Sequence, residues 1–100
     1  MTIRDIIYGP HTNDYDAEVQ KLADTLFWEA ISAGAGQTWV YRAPDGSYRT
    51  YSTDRAPAGC EFIGCLYNSF YDDFWLCSNT DEKNRLCRDT ADDLFTELDQ

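Results

Sequence analysis

From Asp14 to Ala33 the chain carries Val19, Leu22, Ala23, Leu26 and Ala30 at intervals of three and four residues. That period gathers them into one apolar stripe along an α-helix, with Phe27 and Ile31 widening it. A helix with such a stripe has to lay it against a second apolar surface, so the rest of the chain must supply one. Asn13 or Asp14 suits the cap position, and Asp14, Asp16 and Glu18 fall near the positive end of the helix dipole. Gly34 is a natural stop. The spacing predicts a helix over 14–33.

Strand-forming segments make up the surface it needs. Ile3 to Tyr8 is short, apolar and β-branched, closed by Gly9-Pro10, and reads as a strand. Gln37 to Arg42 and Ser47 to Ser52 read as a hairpin about Pro44-Asp45-Gly46, where proline presets one dihedral and glycine accepts the left-handed one. After a loop at 54–59, Cys60 to Tyr67 reads as an interior strand, with Gly64 marking a bulge or a close approach. Phe74-Trp75-Leu76-Cys77 reads as a further strand, although Phe70 and Phe74 also stand one helical turn apart. From Thr80 the helical period returns. Asn79 and Glu82 resemble a capping pair, and Cys87, Ala91, Leu94 and Leu98, joined by Phe95, form a second stripe. Asp89-Thr90 is a place where that helix would restart if it broke. The expected fold is α+β: an antiparallel sheet of four to five strands with two amphipathic helices on one face.

One hundred residues suffice for a single domain with one core, and too few for a core plus a deep cofactor cleft. The net charge of -10 is unevenly spread. Residues 13–33 carry five acids against Lys21, and residues 68–100 carry nine acids against Lys83, Arg85 and Arg88, whereas residues 34–67 are balanced. Such a field repels phosphates and anionic membranes and attracts basic partners, and no basic stripe is present. Direct nucleic-acid and membrane binding are therefore not expected. The first residues, Met1-Thr2-Ile3-Arg4-Asp5, lack the apolar run of an export signal, which points to the cytoplasm and to reduced cysteines.

Catalytic and metal-binding patterns are weak throughout. His11 stands in a Gly-Pro-His-Thr-Asn loop with no motif linking it to a nucleophile. Cys60, Cys65, Cys77 and Cys87 lack the tight Cys-x-x-Cys knuckle of a zinc site. On one unbroken strand, Cys60 and Cys65 would face opposite sides, and Cys87 lies on the apolar stripe of its helix, so free thiols are expected. Asp14-x-Asp16-x-Glu18 lacks the turn glycine and distal glutamate of a calcium loop. Gly34-Ala35-Gly36 follows a helix rather than a strand, unlike a dinucleotide loop. Asp72-Asp73 is an adjacent acid pair of the sort an acidic chain produces by chance. No catalytic residue, metal or cofactor is expected.

Phe70-Tyr71-Asp72-Asp73-Phe74-Trp75 packs four aromatic rings and two acids into six residues. Aromatic anchors ringed by charge are typical of protein-binding hot spots. With the acids of the last helix, the candidate partner-binding set is Phe70, Tyr71, Asp72, Asp73, Trp75, Asp81, Glu82, Asp89, Asp92, Asp93 and Glu97. Carboxylates on a helix stand several ångströms apart, close to the interval of phosphates along a DNA strand, so an acidic face fits a groove meant for nucleic acid. In size, charge and architecture, though in no motif, the chain resembles the small acidic anti-defence inhibitors of phages, anti-CRISPR and other DNA-mimic proteins. The resemblance implies a Cas effector or another basic nucleoprotein complex in the host cytoplasm as partner, blocked by occlusion. Two other functions fit the residues: an interaction module using the neutral aromatic hairpin (Trp39, Tyr41, Tyr48, Tyr51), and a small enzyme using His11 and a cysteine.

Overall fold

The computed structural model describes residues 12–33 and 36–98, and the elements follow from where the apolar side chains fall. Helix α1 runs over Thr12–Ala33. It turns Val19, Leu22, Ala23, Leu26 and Ala30 inward as their spacing predicts. Ile31, expected to widen that stripe, is instead 45% exposed. Asn13 and Asp14 lie within the first turn rather than ahead of it.

Strands β1 (Thr38–Arg42) and β2 (Tyr48–Tyr51) form the expected antiparallel hairpin, pairing Arg42 with Tyr48 and Trp39 with Tyr51. Gly46 takes φ +87° at the turn. Asp45 Oδ1 accepts the N–H and the hydroxyl of Ser47 at 2.9 and 2.6 Å, and these bonds hold the Asp45 carboxyl below its usual range.

Strand β3 (Glu61–Leu66) pairs antiparallel with β1, so the order is β2-β1-β3 and β1 is central. The Cys60–Tyr67 segment is thus a strand as expected, and among the described residues it pairs on one side only, with β1. Both expectations for Gly64 are met. Val40 faces Gly64 while Tyr41 faces Phe62, which leaves Ile63 as the extra residue of a bulge. A Cβ placed on Gly64 would stand 2.6 Å from Leu94 Cδ2. The bulge also falls between Cys60 and Cys65, so their odd spacing no longer sets them on opposite faces.

Two corrections to the expected fold follow. Residues 74–77 are not a strand: helix α2 spans Asn68–Leu76 and buries Phe70, Tyr71 and Phe74. That set matches a helical face, where Phe74 stands three and four residues from Tyr71 and Phe70; a strand would have put Phe70, Asp72 and Phe74 on one side. Four to five strands and two helices therefore become a three-stranded sheet and three helices among the described residues. The expected strand at Ile3–Tyr8 lies outside the described residues.

Helix α3 covers Thr80–Leu98 without a break at Asp89-Thr90. Asn79 Oδ1 accepts the Glu82 N–H at 2.8 Å, and Glu82 Oε2 accepts the Ser78 N–H at 2.7 Å, so the expected capping pair forms. Cys87, Ala91, Leu94 and Phe95 pack inward, with Leu98 at the margin. α1 packs chiefly on α3, α1 reaches β2, and α3 reaches β3, which closes the core between helices and sheet.

A polar chain crosses this core. Thr38 Oγ1 lies 3.4 Å from Glu29 Oε1, to which it donates, and 2.5 Å from the Tyr71 hydroxyl. Because Thr38 has one hydroxyl proton, Tyr71 must donate to it. Burial pushes the Glu29 carboxyl above its ordinary range, with the Thr38 and Thr50 hydroxyls partly offsetting the shift. A raised acid favours folding while protonated, and that advantage is lost as pH climbs from the unfolded pKa through the folded one. Glu29→Gln, neutral throughout, is expected to melt with wild type near about pH 4 and above it near about pH 7. Parallel thermal melts across pH check this, and a variant less stable at neutral pH would refute it.

Candidate functional site

The aromatic-acid segment divides by helical geometry. Phe70, Tyr71 and Phe74 belong to the core, so Phe70 and Tyr71 cannot be the exposed anchors expected of them. Trp75 is 54% exposed, and Asp72 and Asp73 are exposed beside it. The inward rings interlock: Phe74 stands edge-on to Phe27 and to Trp75, each at 5.1 Å. The Lys83 ammonium lies 5.7 Å from the Phe74 ring and 5.9 Å from that of Trp75, which covers part of this surface.

The acids divide as well. On α1, Glu18 accepts the Tyr48 hydroxyl at 2.5 Å, Asp24 accepts the Gln20 amide at 2.7 Å, and Glu29 belongs to the core network. On α3, Glu82 serves the cap and Asp92 accepts the Tyr15 hydroxyl from α1. Asp92 is thus tied to helix packing. Asp81 is exposed in the first turn of α3.

Asp89, Asp93 and Glu97 remain, one helical turn apart and in line along α3. Asp73 of α2 faces the same hollow, a groove of about 390 Å³ between α2, α3 and the end of β3. Phe70, Leu86 and Leu94 contribute its apolar lining, and no lysine or arginine lines it. Within the described residues, no ion pair or side-chain hydrogen bond engages these four carboxylates. The structure therefore brings together five of the eleven expected site residues around one groove, Phe70 as buried lining and the four carboxylates at its rim. The groove itself was beyond the sequence reading, because Asp73 was expected next to a strand rather than on a helix packed beside α3.

The other two readings fare differently. In the hairpin, Tyr41 and Tyr48 are buried, and only Trp39 and Tyr51 are partly open. Tyr48 is on the helix side against Phe95, while Tyr41 lies under Tyr51 and Phe62 and donates its hydroxyl to the Asp54 carbonyl at 3.0 Å. The hairpin is largely scaffold. His11 lies outside the described residues. All four cysteines are free thiols; Cys87 is buried, and burial pushes its thiol up to about 12, which leaves almost no thiolate near neutral pH. Among the described residues, no group of three or more His, Cys, Asp or Glu is placed to hold a metal ion, and no helix is long and apolar enough to cross a membrane.

No protein-family model, no curated protein and no solved structure matches this chain.

Proposed function

We propose that the chain is a non-enzymatic acidic binding protein, of the inhibitor kind its composition resembles, that occupies a basic protein surface otherwise used to hold nucleic acid. The observation that carries this reading is the line of Asp89, Asp93 and Glu97 with Asp73 opposite, unneutralised around one groove. Like charges one helical turn apart along α3 repel one another modestly, and a cationic partner relieves that repulsion. The same field steers a basic partner in and makes association fast and dependent on salt. A host defence complex with a cationic nucleic-acid channel, such as a Cas effector, is the partner class that fits best.

The test is to immobilise the protein, pass a lysate over it at increasing salt, and offer nucleic acid as competitor. The expected result is capture of nucleic-acid-binding proteins that release as salt rises and that duplex DNA or RNA displaces. Retention indifferent to both salt and nucleic acid, or no basic protein retained at low salt, would rule the reading out. Reversing the acids to lysine belongs at Asp73, Asp89, Asp93 and Glu97. Asp92 is better left alone, since its bond to Tyr15 joins two helices.

A further inference from the structure

The acidic groove does not end at Glu97. A second hollow of about 270 Å³ adjoins it along the outer side of β3, and the two share Cys65, Tyr67 and Glu97 as lining. Its remaining walls are apolar, chiefly Phe62 and Leu98. Phe62 is 47% exposed and Tyr67 58%, so two large rings stand open to solvent where the hollows meet and beyond. Together they form one trough with a gradient, carboxylates of Asp73, Asp89 and Asp93 toward one end, and Phe62, Tyr67 and Leu98 toward the other.

We propose that this trough is the docking site for a basic amphipathic segment of a partner protein, bound in one direction. A hydrophobic side chain of that segment fills the Phe62–Tyr67–Leu98 end, and its arginines or lysines run along the acid end. The proposal rests on the acidic-binder reading and deepens it by naming the face, the occupant and its polarity. Charge complementarity selects the occupant. Four carboxylates exclude a phosphate backbone, and a second copy of a chain with net charge -10 is repelled while finding no complementary cation in the lining. The apolar end adds what pure electrostatic mimicry lacks, a contribution that salt does not screen.

Two labelled helical peptides of identical composition serve as probes. One carries leucines at one end and arginines at the other; the second has the same residues scrambled. Fluorescence anisotropy over a salt series reads their affinities. The segregated peptide is expected to bind roughly tenfold more tightly than the scrambled one, the worth of burying about one large apolar side chain. Tyr67→Ser is expected to weaken it by roughly tenfold at every salt concentration. Asp89→Asn with Asp93→Asn and Glu97→Gln should weaken it mainly at low salt and flatten the salt dependence. Tyr67 occupies the N-cap of α2 and makes no side-chain cap bond, so Tyr67→Ser supplies a better cap and keeps the helix. A cooperative melt at or above the wild-type temperature confirms that the variants fold. Equal binding of the two peptides, no binding of either, or indifference to Tyr67→Ser overturns the docking site. If both peptides bind equally, or bind regardless of Tyr67→Ser, and that binding falls with salt, the acidic-binder reading survives without the trough. If the triple variant also leaves binding unchanged, that reading falls with it.

Discussion

Phe74→Ala is expected to cost about 3–5 kcal/mol, a loss that would leave much of a domain this size unfolded at physiological temperature. The Phe74 ring has no exposed surface and stands at the junction of α1 and α2, edge-on to Phe27 and Trp75 at 5.1 Å and tilted against Phe70 at 6.3 Å. Removing it deletes apolar contact with three other rings and leaves a cavity whose walls belong to two separate helices, which limits collapse. Trp75→Ala, one residue on, should cost only about 1 kcal/mol, because its indole is half in solvent already. Urea titration of both variants by circular dichroism measures the contrast. The comparison reports on which of the two rings is buried, since neighbours in a strand would also point to opposite faces. Equal losses, or the larger loss at Trp75, would contradict the burial of Phe74 between α1 and α2.

Gly64→Ala should destabilise by about 1–3 kcal/mol, although alanine is ordinarily an easy replacement for glycine in a strand. The added methyl would meet Leu94 Cδ2 at 2.6 Å, closer than carbon atoms pack, and Leu94 is itself buried against the sheet. Either α3 moves off β3 or Leu94 leaves its rotamer. Leu94→Ala opens the space and should itself cost about 2–5 kcal/mol. In a double-mutant cycle the two changes should therefore be less harmful together than their separate costs imply. Strict additivity in thermal or urea unfolding would show that the close approach is not what glycine accommodates. Since Gly64 and Leu94 also border the two halves of the proposed trough, Gly64→Ala is unsuited as a binding variant.

Where residues keep a strong period, the chain's own pattern was enough. Val19 to Ala30 and Cys87 to Leu98 recur at three and four and are the inward faces of α1 and α3. The hairpin followed from turn chemistry at Pro44-Asp45-Gly46, and the cap of α3 from Asn79 and Glu82 three residues apart. Gly64 signalled both its bulge and its close approach. The 68–76 segment was harder because nine residues dense in aromatics satisfy a strand's composition while obeying a helix's spacing. The inward set Phe70, Tyr71 and Phe74 held the deciding signal, one that a preference for aromatic strands overrode. That single reversal changed the strand and helix count and put Asp73 on a helix.

By itself, the sequence determined that this is an α+β chain with two long amphipathic helices, an excess of acid concentrated at its two helical ends, and no pattern of catalytic or metal-binding residues. Those properties follow from local spacing and composition, which do not depend on what packs where. Tertiary structure decided which acids are spent and which remain. Glu18, Glu29 and Asp92 were drawn into bonds by Tyr48, Thr38 and Tyr15, partners up to 77 residues away in the chain. Asp73, Asp89, Asp93 and Glu97 were left around one groove because α2 folds back beside α3. A carboxylate's availability depends on the donors that reach it in space, and no linear spacing records that.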